Sequence, residues 1–122
     1  MDAIEIPDSI RCDLEGKGGI AGIAGSLPAD RKIGAIVLVA RALSDPVRVK
    51  VLFALFMQPM CVCLLVAMTG YAYSKMSYHL SVLKDGGLVC ARQEGNYLIY
   101  YPTDLGRRVA LWTRVTAHPN RC

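Results

Sequence analysis

A mainly α-helical domain with a small β-hairpin is the fold class that this sequence predicts: four helices, a hairpin and a last helix. Three observations predict it. Helix start and stop signals follow one another closely from Asp45 to Gly70, with Pro46 and Pro59 between them. Two β-rich runs flank Glu94-Gly95-Asn96, which is a hairpin signal. Beyond the hairpin, Leu105, Val109 and Trp112 fall on one helical face.

The elements follow in order. Residues 16–28, "GKGGIAGIAGSLP", are rich in Gly and Ala and read as a flexible connector. Residues 1–28 are thus an acidic tail with a Gly-rich linker, and residues 29–122 are the folded body. A first body helix spans residues 30–43, with Ile33, Ile36, Val37, Ala40 and Leu43 on one face. Leu38, Val39 and Ala42 make its other side apolar too, which suits a subunit interface. Asp45 is an N-cap candidate and Pro46 a first helical residue, starting a second helix whose buried stripe is Val47, Val51 and Leu55. Pro59 stops it, because a residue before proline avoids the α region. A third helix starts near Cys61 and ends before Gly70, which suits a left-handed cap. A fourth runs from about Ser74 to Asp85, turning Met76, Leu80 and Leu83 inward and Lys75, Ser77, Tyr78 and Lys84 outward.

Composition narrows the function classes. The 122 residues suffice for one compact domain. They are 53% hydrophobic with mean hydropathy +0.33, so the surplus apolar surface needs a partner subunit or a membrane. Residues 1–30 carry a net charge of −4 and residues 31–122 one of +8, and a basic body suits a polyanion. Five cysteines without a signal-peptide pattern point to a reducing cytoplasmic setting and to thiols rather than disulfides. Residues 51–68 approach the roughly 20 apolar residues of a membrane span, but Gln58-Pro59 interrupts them and the downstream elements need these helices as cover. A small membrane-associated protein is therefore the weaker alternative. Neither a nucleophile–base constellation nor a phosphate loop is evident, which argues against an enzyme.

Two helices joined by a tight turn and followed by a hairpin make a winged helix-turn-helix. The segments "ALSDPVRVKVLFAL", "MCVCLL", "YSKMSYHLSVLKDGGLV" and "ARQEGNYLIYYP" resemble the ArsR/SmtB family of metal-sensing repressors, over about residues 38–105. The resemblance implies a cytoplasmic homodimer, paired through its first and last body helices. It implies further that this dimer represses transcription from operator DNA and is released by metal, as in metal resistance. The fourth helix would then read the major groove with Tyr73, Ser74, Lys75, Ser77, Tyr78 and His79, and Arg92 would serve the wing. Ser74 reads equally as a helix N-cap, and His79 equally as a packed, hydrogen-bonded side chain. Ala72 stands where relatives place a serine, and Gln93 and Asn96 where wings carry arginines, so a shallower salt dependence is expected.

"MCVC" resembles the C-V-C signature where soft metals or metalloids bind in this family. On a regular helix Cys61 and Cys63 would point about 200° apart. At an irregular helix start, which Pro59 provides, they can converge, and the helix dipole there favours thiolate. As(III) and Sb(III) favour three thiolates. Arsenic-responsive relatives often supply the third at the position of Val66, so Cys12 is the expected replacement and Cys122 its rival. Cd(II) and Pb(II) are the next effectors. Cys90 is expected to be structural. Asp104 and His118, fourteen positions apart, predict no second, zinc-type site on the last helix. A thiol-redox regulator that oxidises these cysteines instead is the alternative.

Overall fold

A computed structural model describes residues 4–115, with side chains placed as far as Trp112. The chain divides into two compact units between Ile33 and Gly34. The first holds α1 (Asp8–Gly16) and α2 (Gly19–Ser26). The stretch read as a flexible connector is therefore helical. Gly18 and Gly19 turn the chain with φ of +86° and +76°, and Ile20 then lines one groove with Ile4, Ile6, Ile10 and Leu14. The many glycines hid a short apolar face spaced for helix pairing.

Then follow α3 (Asp30–Ala42), α4 (Pro46–Met57), β1 (Met60–Cys61), α5 (Val62–Thr69), α6 (Tyr73–Asp85), the strands β2 (Val89–Glu94) and β3 (Tyr97–Pro102), and α7 (Asp104–Val115). Local chemistry explains the boundaries. The Val47 N–H donates to Asp45 Oδ1 at 2.8 Å, so Asp45 caps α4 above Pro46 as expected. Gly70 ends α5 at φ +76°, the left-handed cap that its residue type favours. Gly95 takes φ +61° at the first central position of a two-residue turn, with Glu94 paired to Tyr97.

The core of the second unit forms where α4, α5 and α6 meet the base of the hairpin. Val51, Leu52, Leu55, Leu65, Met76, Leu80, Leu83 and Leu88 are buried there. Val66 packs against this cluster. On α7, Gly106 runs so close to the Leu88 carbonyl that an added Cβ would collide with it. By contrast, α3 buries only Ala42, and Ile33, Ile36, Val37 and Leu38 are exposed along it. Leu105, Leu111 and Trp112 are exposed on α7. None of the described helices is long and apolar enough to cross a membrane.

One strand has no precedent in the sequence reading. Residues Met60 and Cys61 pair antiparallel with Tyr100 and Ile99, giving a three-stranded sheet in the order β1-β3-β2. Two residues are too few to show alternation, so only the partner strand could reveal them.

Candidate nucleic-acid interface and thiol pair

Helix α6 is held by its inner face and presents its outer one. Met76, Leu80 and Leu83 are buried, while Tyr73, Ser74, Lys75, Ser77 and Tyr78 are exposed. Its N-cap, Ala72, makes no side-chain cap bond, so Ser74 lies inside the helix rather than at the cap. The N–H groups of that first turn are thus open to an acceptor such as a phosphate oxygen. A concavity of about 480 Å³ lies along this end, lined by Asp45, Val47, Tyr71, Ser74, Lys75, Tyr78 and His79.

Beneath it sits a charge from α4. Arg48 is 7% exposed and is the only buried charged side chain among the described residues. Its guanidinium donates to Ala42 O and Arg41 O, both at 2.9 Å, and more loosely to Ser44 Oγ at 3.4 Å. Those carbonyls belong to the last turn of α3, where a cation is favoured. Nη1 lies 3.0 Å from His79 Nδ1. A guanidinium only donates, so Nδ1 accepts and the ring proton sits on Nε2. His79 is therefore a packed, hydrogen-bonded side chain, half-buried, with Tyr71 edge-on at 6.5 Å and Tyr78 tilted at 5.7 Å. The missed signal was the spacing of Arg48, Leu52 and Leu55, which share a buried helix face. Desolvation pushes the Asp45 carboxyl up, but the Val47 and Arg48 N–H groups and the Arg48 charge outweigh it and leave it below its ordinary value.

The wing is sparing in charge. Arg92 lies over the Tyr101 ring at 4.9 Å, and Tyr101 donates to Glu94 Oε1 at 2.6 Å. Gln93 Nε2 turns back to Gly95 O at 2.9 Å. Arg92 is exposed, and beside it the two neutral side chains Gln93 and Asn96 stand near the tip.

The cysteine pair converges. Cys61 ends β1 in extended backbone with φ −79° and ψ 165°, and Cys63 lies in the first turn of α5. Their Sγ atoms are 2.6 Å apart, and both cysteines are free. The break between strand and helix thus brings together an i, i+2 pair that a continuous helix would separate. The Cys63 thiol and the Leu64 N–H hold Cys61 below the ordinary thiol value, while the bond to Cys61 pushes Cys63 up. Val62, Tyr73, Asn96, Tyr97 and Leu98 complete a cavity of about 380 Å³ around the pair.

Cys12 is exposed on α1 in the first unit, and Cys122, like His118, lies outside the described residues. Cys90 is half-buried in β2 opposite Tyr101. The described residues contain no group of three or more His, Cys, Asp or Glu side chains able to hold a metal ion.

Residues 45–90 match the model of the family described as "Bacterial regulatory protein, arsR family". An HTH-type transcriptional regulator of Methanocaldococcus jannaschii is 36% identical over 67 residues, which are 54% of this chain and 75% of that one. The chain belongs to the arsR family. It is a DNA-binding transcriptional regulator rather than an enzyme. A cadmium resistance regulatory protein CadC homologue of Staphylococcus aureus is 36% identical over 70 residues, spanning 57% of each chain. Among solved structures, a homodimeric winged helix-turn-helix DNA-binding domain of Mycobacterium bovis superposes with a TM-score of 0.67 at 27% identity. That match covers 80% of this chain and 99% of the other. The segment matched to the arsR model contains Asp45, Arg48, both cysteines of the pair and all of α6.

Proposed function

We propose that this arsR-family regulator is a cytoplasmic repressor that leaves its operator when a thiophilic metalloid or metal engages Cys61 and Cys63. The observation that carries this reading is the convergence of the two sulfurs at 2.6 Å in a cavity shared with the first residue of α6. As(III) or Sb(III) is the first effector and Cd(II) or Pb(II) the second. Soft sulfur donors select such ions, and the relative named for cadmium resistance supports a metal as signal. With arsenite, each thiol proton leaves as water with an arsenite oxygen while As–S replaces As–O, and no electrons are exchanged.

The pair supplies two thiolates, and Cys12 is assigned as the third, with Cys122 as its rival. Tyr73, Ser74, Lys75, Ser77 and Tyr78 contact DNA, and Arg92 adds a wing contact. His79 works beside them through Arg48. The working unit is a homodimer, paired through α3 and α7, whose exposed Ile36, Val37 and Trp112 need cover. The homodimeric M. bovis neighbour supports that assembly.

Titration with arsenite, antimonite, cadmium, lead and zinc, read by thiolate charge-transfer absorbance, tests the ligand set. Cys12→Ser is expected to weaken arsenite binding and Cys122→Ser to leave it near wild type; the reverse pattern would move the third ligand to Cys122. The lowered Cys61 thiol beside a second sulfur also favours a redox reading. Operator release by peroxide in metal-free protein, with arsenite ineffective, would establish that reading instead.

A further inference from the structure

The cavity around the thiol pair is walled by four parts of the fold. Cys61 and Cys63 come from β1 and α5, Tyr73 from the first position of α6, and Asn96, Tyr97 and Leu98 from the hairpin tip. Tyr73 belongs to two surfaces at once. It is 55% exposed at the end of α6 assigned to the operator, and it lines the same cavity as the two sulfurs. Partial removal from water and the thiol pair beside it push its phenol above the ordinary value. Cys63 in turn faces Cys61 at 2.6 Å, so the phenol and both sulfurs share one cavity.

We propose that Tyr73 is the positioning residue through which the occupied thiol pair and the operator exclude each other. The inference rests on the thiol-pair reading above. A ligand that engages both sulfurs occupies the cavity that the Tyr73 side chain walls. The phenol must then turn, and it belongs to the first turn of α6. Ser74, Lys75, Ser77 and Tyr78 ride on the same helix, so a shift at its start moves the other contacts with it. By the same linkage, operator that holds Tyr73 outward weakens the ligand, because coupling between two sites is reciprocal.

The test uses the full chain. Operator affinity is measured with and without saturating arsenite in wild type, Tyr73→Phe and Tyr101→Phe, the last a hairpin tyrosine bonded to Glu94 away from the cavity. Each protein's ratio of the two affinities cancels any effect of the substitution on ligand-free binding. The ratio in Tyr73→Phe is expected to fall about fivefold or more below wild type, with Tyr101→Phe unchanged. An unchanged ratio in Tyr73→Phe, or an equal fall in both variants, overturns the proposal. A wild-type ratio of one sinks the thiol-pair reading itself, and this inference with it. A second readout needs no DNA. In protein carrying 13C-labelled tyrosine rings, arsenite should shift the resonance that Tyr73→Phe removes, and should not shift it in the Cys61→Ser, Cys63→Ser double variant. A Tyr73 ring that stays unperturbed while arsenite binds contradicts the proposal as directly as an unchanged ratio.

Discussion

Cys61 owes its chemistry to two neighbours, the Cys63 sulfur at 2.6 Å and the N–H groups at the start of α5. Its thiolate persists to lower pH than that of an ordinary cysteine, so it loses reactivity only as the pH falls through that lowered value. Alkylation by iodoacetamide, followed by mass spectrometry, should therefore reach half its maximal rate at lower pH for Cys61 than for a free thiol. Cys63→Ala should move that midpoint upward, and a midpoint that stays put would remove Cys63 as the cause. Arg48 is the other decisive residue. Removing its buried guanidinium takes the donor from Ala42 O and His79 Nδ1, while Arg41 O keeps the Ser44 hydroxyl and N–H. Arg48→Met should cost about 2–4 kcal/mol in chemical denaturation. Arg48→Lys should not restore it, because one ammonium cannot span the acceptors that the fork spans. The sequence showed Cys61 and Cys63 plainly, since two thiols after a proline stand out. The role of Arg48 was hidden because a charge on a buried stripe looks like a surface charge until its acceptors, supplied by the tertiary fold, are known.

Among the elements, helices α3 to α7 were legible because caps and prolines mark their ends: Asp45 and Pro46, Pro59, Gly70, and Gly95 in the hairpin. Two elements were not. Strand β1 exists only through its pairing with β3, and α2 is written in glycine and alanine, which read as linker. The consequence of β1 is functional. It makes the strand carrying Cys61 part of the wing sheet, so the thiol pair touches the wing as well as α6. The wing itself carries Arg92 beside neutral Gln93 and Asn96. Operator affinity should accordingly fall gently with salt, and Arg92→Ala should reduce the slope of log affinity against log salt by about one per wing. A steep slope that Arg92→Ala leaves unchanged would move the phosphate contacts to other elements.

At the scale of the whole molecule, the chain places its apolar surplus where a second copy would cover it. Ile36 and Val37 are each 59% exposed and Trp112 is 62% exposed, on the two helices assigned to the interface. Ile36→Asp should shift the protein toward monomer in sedimentation velocity and weaken operator binding in step, because each half-site then binds alone. An Ile36→Asp protein that sediments as a dimer would move the interface off α3. The same layout sets the thiol pair between the helix assigned to the operator and the wing, so that one ligand can act on both. Operator release titrated with arsenite in wild type, Cys61→Ser and Cys63→Ser tests that account most directly. Release of the wild type is expected, with little or none of either variant at the same arsenite concentration. Normal release of both variants would contradict it.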